Sequence, residues 1–183
     1  MAQIYKRRGD LMFCFDGVKE VVKGTEEVYN KINGFEITKS DVKEVKRIHT
    51  INEYYEGRTH PTGVPFKKHT FQLNGERVEG VFPKFESEFT CRMPKSMWKS
   101  SDYSQFRFCT KVLQGKIERD PEFAKKFSPR QLEQIKNGEP RISGLTWHHN
   151  EIPGKMELVD ANKHDIARHT GGKSLWGGGA SMR

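Results

Sequence analysis

The residues of this chain best equipped for chemistry lie near its end. They run through Gly144-Leu145-Thr146-Trp147-His148-His149-Asn150 and Gly154-Lys155-Met156-Glu157-Leu158-Val159, then His164, His169 and Gly171-Gly172. Four of the seven histidines fall in this segment. Neighbouring imidazoles followed by two more at short range can hold a divalent metal ion and still leave one nitrogen base free, which is the minimum equipment for hydrolysing a phosphodiester. A purely structural zinc knuckle competes with that reading. It is the weaker of the two, because structural zinc sites usually contain cysteine and Cys14, Cys91 and Cys109 all lie far from the tail in sequence.

The pattern around the histidines predicts the elements that must position them. Leu145, Trp147 and His149 alternate with Thr146 and His148, so an extended segment points the two adjacent histidines in opposite directions. Asn150, Pro153 and Gly154 mark a turn, and Met156, Leu158 and Val159 supply the apolar positions of a returning strand. Asp160 is an N-cap for a helix from Ala161 to His169, stopped by Gly171-Gly172. The order is therefore strand, turn, strand, short helix. It suits a division of labour in which one histidine of the pair joins ligands from the helix and the other faces the attacking water. Trp147 is expected to pack beneath the hairpin. His164 and His169 are five residues apart, about 500° of rotation, which leaves them about 140° apart on a regular helix. Either the last turn unwinds and carries His169 to the ion, the favoured reading, or His169 contacts the scissile phosphate or packs structurally.

Trp-His-His, Gly-x-Met-x-Leu-Val, His and His-x-Gly-Gly in this order resemble the HNH/endonuclease VII superfamily, specifically its WHH branch, whose members are typically C-terminal toxin domains of bacterial polymorphic toxins. The likeness extends upstream through Gly63-Val64-Pro65-Phe66, Glu79 to Phe85, Ser101-Asp102-Tyr103-Ser104-Gln105-Phe106 and the Pro129-to-Gly138 helix, covering roughly residues 58 to 180. It implies that His148 is a metal ligand, that His149 is the general base, and that His164 is the next ligand, in register with DNase colicins. His169 is the third ligand if the helix unwinds; the colicin spacing is four residues, not five. The middle asparagine of the HNH pattern falls on Lys155, so its role is lost, moved to Asn150, or replaced by a lysine aimed at phosphate. The implied activity is one-metal phosphodiester hydrolysis with Mg²⁺, Mn²⁺, Zn²⁺ or Ni²⁺. The implied substrate is DNA, with RNA open. The implied setting is an antibacterial toxin, delivered as part of a larger precursor into the target-cell cytoplasm and neutralised in its producer by a cognate immunity protein. The rival reading is a non-catalytic nucleic-acid-binding module built around a structural metal.

Composition agrees with a polyanionic partner. Thirty-two Lys and Arg against twenty-four Asp and Glu give a net charge of +8 and a pI near 9.4, a balance that favours phosphate backbones. Basic clusters occur at Lys6-Arg7-Arg8, Lys43 to Arg47, Lys67-Lys68 and Lys95 to Lys99, and no pattern suggests base readout. No apolar run approaches a membrane span and no signal-peptide h-region follows Met1, so a soluble protein is expected. Three unpatterned cysteines imply reduced thiols.

The expected class is α+β, mostly helical with β-hairpins and a C-terminal ββα-metal unit at about 144–172. The division is an N-terminal helical appendage over 1–57 and a nuclease domain over 58–183. Asp16 to Ile32 reads as a helix interrupted at Gly24, Asp41 to Glu53 as a charged helix or a strand, and Tyr54 to Pro65 as the linker. Phe71 to Leu73, Asn74-Gly75 and Val78 to Phe82 read as a hairpin with a type I′ turn. Asp102 to Ile117 should be a helix with Phe106, Cys109, Val112, Leu113 and Ile117 on its buried stripe. Pro121 to Phe127 is a short helix, and Ser128-Pro129-Arg130-Gln131 opens another that stops at Gly138. Trp176 suggests that the glycine-rich end docks. His49, His60 and His69 are expected to be structural. Glu79, Glu86, Glu88, Glu157 and Asp165 are the carboxylates available to complete a metal shell, Glu157 the best placed of them.

Overall fold

The computed structural model describes residues 3–7, 10–15, 18–22 and 44–182. The chain divides into two compact units, Met1–Lys46 and Arg47–Arg183. The first holds three antiparallel strands, β1 (Gln3–Arg7), β2 (Asp10–Phe15) and β3 (Val18–Val22), in that order, with Ile4 opposite Phe13 and Phe13 opposite Glu20. The helix expected from Asp16 is thus a strand over Val18–Val22, and the remainder of Asp16 to Ile32 lies outside the described residues. Val18, Val21 and Val22 are β-branched and stiff at χ1, which favours a strand once β2 offers a partner. The side chains of Lys6-Arg7-Arg8 and Lys43 also lie outside the described residues.

In the second unit, β5 (Phe66–Leu73) and β6 (Glu76–Pro83) form the expected hairpin, longer at both ends; the two-residue β4 (Lys46–Arg47), at the boundary of the units, gives the order β4-β6-β5. Asn74 and Gly75 both take positive φ, 52° and 86°, as a type I′ turn requires. Asp41 to Glu53 shortens to β4 among its described residues. The stretch read as a linker lies inside this unit. Gly57 N–H donates to Phe66 O at 3.0 Å, Phe66 N–H to Arg58 O at 2.9 Å, and His60 N–H to Val64 O at 2.9 Å, while Val64 and Phe66 are buried against Tyr55 and Phe85. Its glycines and prolines shape a packed loop.

The second sheet has the order β7-β9-β8, built from β7 (Ser87–Arg92), β8 (Leu145–His149) and β9 (Lys155–Asp160), so β8 is an edge. Between β7 and β8 come α1 (Asp102–Arg119), α2 (Pro121–Ala124) and α3 (Pro129–Lys136); α4 (Ala161–Ile166) and α5 (Gly172–Leu175) follow β9. Ser101 caps α1, and the Ser128–Gln131 capping box opens α3 as its sequence implies. The fold is α+β and ends in strand, turn, strand, helix. Cys109 and Leu113 of α1, Trp147 of β8, Met156 and Leu158 of β9, Cys91 of β7 and Ile135 of α3 form one core. Cys91 and Cys109 are free thiols within it.

The buried stripe of α1 is Gln105, Cys109, Thr110 and Leu113; Val112 is exposed. Apolarity alone misplaces this face, because a buried glutamine sits at its head. Leu113→Ala, at the centre of that core, is expected to cost about 2–5 kcal/mol, read as a lower urea midpoint at unchanged slope; a loss below about 0.5 kcal/mol would place the core elsewhere.

Candidate active site

The turn after the paired histidines is fixed by Asn150. Its N–H donates to Lys155 O at 3.0 Å, its Oδ1 accepts from Ile152 N–H at 3.0 Å, and its Nδ2 donates to Glu157 Oε2 at 2.9 Å. Its carbonyl accepts from Trp176 Nε1 at 2.9 Å, which docks the tail. The glutamate's other oxygen takes Lys155 Nζ at 2.6 Å. Asn150 thus holds the turn, and Lys155 is engaged with Glu157. Gly172 is needed here, since a Cβ on it would collide with Asn150 O and Trp176 Nε1.

β8 and β9 pair His148 with Glu157 and His149 with Met156, so the two histidines leave opposite faces of the sheet. α4 starts on Asp160, whose Oδ1 accepts from Lys163 N–H at 2.8 Å, and ends at Ile166 rather than His169. Arg168 then adopts φ 23°, a costly conformation for a non-glycine residue. Asn52 holds that exit: its Nδ2 donates to Ala167 O at 3.1 Å and Arg168 O at 2.6 Å, while Ile51 N–H donates to Thr170 Oγ1 at 3.0 Å. The 140° separation of a regular helix is thereby removed. His148 Nδ1 lies 3.2 Å from His164 Nε2 and 3.2 Å from His169 Nε2, and one nitrogen from each ring falls within 4.8 Å of the others. Phe85 packs on all three rings, at centroid separations of 4.9, 5.4 and 5.3 Å. The distal atoms His148 Nε2 and His169 Nδ1 are buried without a hydrogen-bond partner, so ring orientation comes from packing.

Burial, reinforced by the neighbouring imidazoles, pushes His148 well below the ordinary histidine range and His169 down to about 3; burial also lowers His164. All three are neutral near pH 7. A neutral His148 has at most one proton to share at Nδ1, so it cannot hydrogen-bond both neighbours as donor. Three neutral imidazole nitrogens 3.2 Å apart along two edges do match a metal site, where bonds of about 2.0–2.1 Å in a tetrahedron separate ligands by roughly 3.3 Å. The donor set fits a divalent ion. Among the described residues no carboxylate joins the group: Glu157 is engaged as above, Glu79 pairs with Lys68 at 3.2 Å and Glu88 with Lys126 at 3.6 Å.

His149 faces α1. Its Nε2 lies 2.6 Å from Gln105 Oε1 and 4.0 Å from Asp102 Oδ1, and Lys173 Nζ sits 2.6 Å from that same carboxylate oxygen. Phe106 and Trp176 pack on the ring. Burial, partly opposed by Asp102, pushes His149 down to about 4. A cavity of about 400 Å³ runs along β8, lined by Phe106, Arg141, Leu145, Thr146, His164 and Asp165 among others. It touches the ring that packs on His149 and one member of the histidine cluster.

Residues 74–171 match the family of the DNase/tRNase domain of colicin-like bacteriocin. The chain belongs to this family. The matched span covers more than half of the 183 residues and contains the whole histidine site. No curated protein and no solved structure matches the chain. Membership supports a nuclease of bacteriocin type, acting on nucleic acid. No helix among the described residues is long and apolar enough to cross a membrane.

In this nuclease several site residues carry little sequence signal. Gln105 falls within the Ser101-to-Phe106 likeness, but its place four before Cys109 and eight before Leu113 on α1 does not reveal that it meets His149. Asn52 and Phe85 reach the cluster through tertiary approach. Glu151, 1% exposed, accepts from His69 Nδ1 and Lys84 Nζ, both at 2.6 Å; His69 therefore anchors the turn region, while His60 bonds Thr62 and His49 bonds Glu53. Because burial lowers His149 to about 4 and His169 to about 3, and lowers His148 and His164 as well, the unfolded chain binds more protons than the fold below the unfolded pKa near 6.5. Stability of the metal-free protein should therefore fall as pH drops from 7 to 5, by up to about 1.4 kcal/mol per unit for each histidine. Urea melts in chelator read this, and a flat profile would show that the four rings are solvated.

Proposed function

We propose that the domain is a metal-dependent endonuclease of the WHH branch of the HNH superfamily, a DNase toxin in which His149 is the general base. The observation that carries this reading is the meeting of His148, His164 and His169 on one side of β8, with the neutral His149 leaving the other side of the same strand. His148, His164 and His169 would hold the ion, Mg²⁺, Mn²⁺, Zn²⁺ or Ni²⁺; when bound it supplies positive charge against the phosphate and the departing oxygen.

The chain's own groups do the rest. His149 removes a proton from the attacking water, and a lowered pKa keeps it in the free-base form at neutral pH. The imidazolium that results is met by Asp102, 4.0 Å away and held in place by Lys173. The cavity along the free edge of β8 takes the phosphodiester between His164 and Phe106, with Arg141 at its rim able to pair with a phosphate oxygen. Phosphate contacts carry no sequence information, so a chain of net charge +8 with exposed Lys95 and Lys99 suits cleavage without sequence preference. Lys68 is held by Glu56 and Glu79, each at 3.2 Å, which weakens the Lys67-Lys68 pair as a phosphate patch and leaves the exposed Lys67 to carry it. A toxin of this kind requires a cognate immunity protein in its producer and delivery within a larger precursor.

The test is cleavage of supercoiled plasmid and of transfer RNA with each of the four metals. His149→Ala should lower the rate about 10²- to 10⁴-fold while metal binding stays intact; His148→Ala should lose both. Plasmid cleavage unchanged in His149→Ala would remove the general-base assignment. Cleavage of transfer RNA alone would make the domain an RNase, and no cleavage of either substrate would favour the binding module.

A further inference from the structure

Gln105 is fully buried at the start of α1, an expensive place for a primary amide unless each polar atom is satisfied. Its Nε2 donates to Met97 O at 2.9 Å and to Trp98 O at 2.7 Å. Backbone carbonyls only accept, so the amide nitrogen must face them; the flipped amide would set Oε1 against two oxygens. The acceptor Oε1 is thereby aimed at His149 Nε2, 2.6 Å away. A nitrogen that close to an obligate acceptor has to donate. In a neutral imidazole the single ring proton then sits on Nε2 and the lone pair on Nδ1.

We infer that Gln105 is a positioning residue that fixes the tautomer of His149, presenting Nδ1 as the nitrogen that accepts the proton from water. The inference rests on the reading of His149 as general base. The clamp has three connected parts. The carbonyls of Met97 and Trp98 orient the amide, the amide orients the imidazole, and Ser101, capping α1 through its contact with Ser104 N–H at 3.3 Å, fixes where the helix begins. A neutral amide sets the tautomer without placing full charge against the ring, and the charge that stabilises the imidazolium comes separately from Asp102, tethered by Lys173 at 2.6 Å. Two tasks often given to one carboxylate are here divided between residues three apart on one helix.

The experiment is ¹⁵N NMR of the imidazole nitrogens in the full chain, together with plasmid cleavage, for wild type, Gln105→Met, Gln105→Glu and His149→Ala. Wild-type His149 should show a protonated Nε2 and an unprotonated Nδ1. Gln105→Met removes the acceptor at similar volume and should give a mixed tautomer with kcat reduced between about 10-fold and 10⁴-fold, the upper figure being the loss that a wrong histidine tautomer causes in a serine-protease triad. KM should hardly change. Gln105→Glu keeps an acceptor but sets its second oxygen against the Met97 and Trp98 carbonyls, so it should keep the Nε2–H tautomer only while its carboxyl holds a proton there. A wild-type ring protonated at Nδ1 overturns the inference without any variant having to fold. So does a folded Gln105→Met with unchanged tautomer and kcat. A mixed tautomer in Gln105→Met with cleavage unaffected by His149→Ala would instead retain the clamp and overturn the general-base reading.

Discussion

The second unit is organised around a largely buried place beside β8 where three imidazoles approach one another, each neutral near pH 7. Desolvation sets the protonation state, and the protonation state sets what the cluster is good for. Charged histidines at these distances would repel, while neutral ones offer lone pairs toward a common centre. His148 supplies the fixed member because its backbone belongs to a paired strand. His164 and His169 have to be brought to it, and much of the local architecture accomplishes that: Asp160 starts α4 in register, Asn52 holds the chain through the positive φ at Arg168, and Phe85 packs on all three rings. The conformational cost at Arg168 lies next to the site that uses it, as stored strain commonly does.

The same strand solves a second problem. In the proposed mechanism the base should not itself bind the ion, and the alternation of side chains along β8 would separate the two roles without any special loop. His149 enters the face where Trp147, Met156 and Leu158 pack, so it too is desolvated, yet it meets a polar end of α1. Gln105 and Asp102 form a small polar inclusion at the head of an otherwise apolar stripe. Left unsatisfied, such groups would be among the most destabilising features of the domain. Gln105, with its amide fully hydrogen-bonded, orients the imidazole more narrowly than packing could.

The hairpin at Asn74-Gly75, the capping box at Ser128 and the order of strand, turn, strand and helix around the histidines were all legible in the sequence, because each is written in local chemistry: a two-residue turn that needs positive φ, a reciprocal cap, an alternation of two. The opposed directions of His148 and His149 follow from that same alternation. What was not legible depends on partners remote in sequence. Val18 to Val22 reads as helical until β2 is placed beside it. Tyr54 to Pro65 has a linker's composition but closes on β5. The end of α4 is set by Asn52, more than a hundred residues away, and the α1 stripe is headed by a buried Gln105 that apolarity does not mark, while Val112 is exposed. Local composition reports what a segment can do; contacts decide among the options.

The central claim is that His148, His164 and His169 together bind a divalent ion, and X-ray absorption of the protein loaded with one equivalent of Zn²⁺ or Ni²⁺ tests it most directly. Three imidazole nitrogens at about 2.0–2.1 Å, with the multiple-scattering pattern of histidine rings and one imidazole lost in His169→Ala, are the expected result. A shell of water and carboxylate oxygens, or a histidine count unchanged in His169→Ala, would contradict the account.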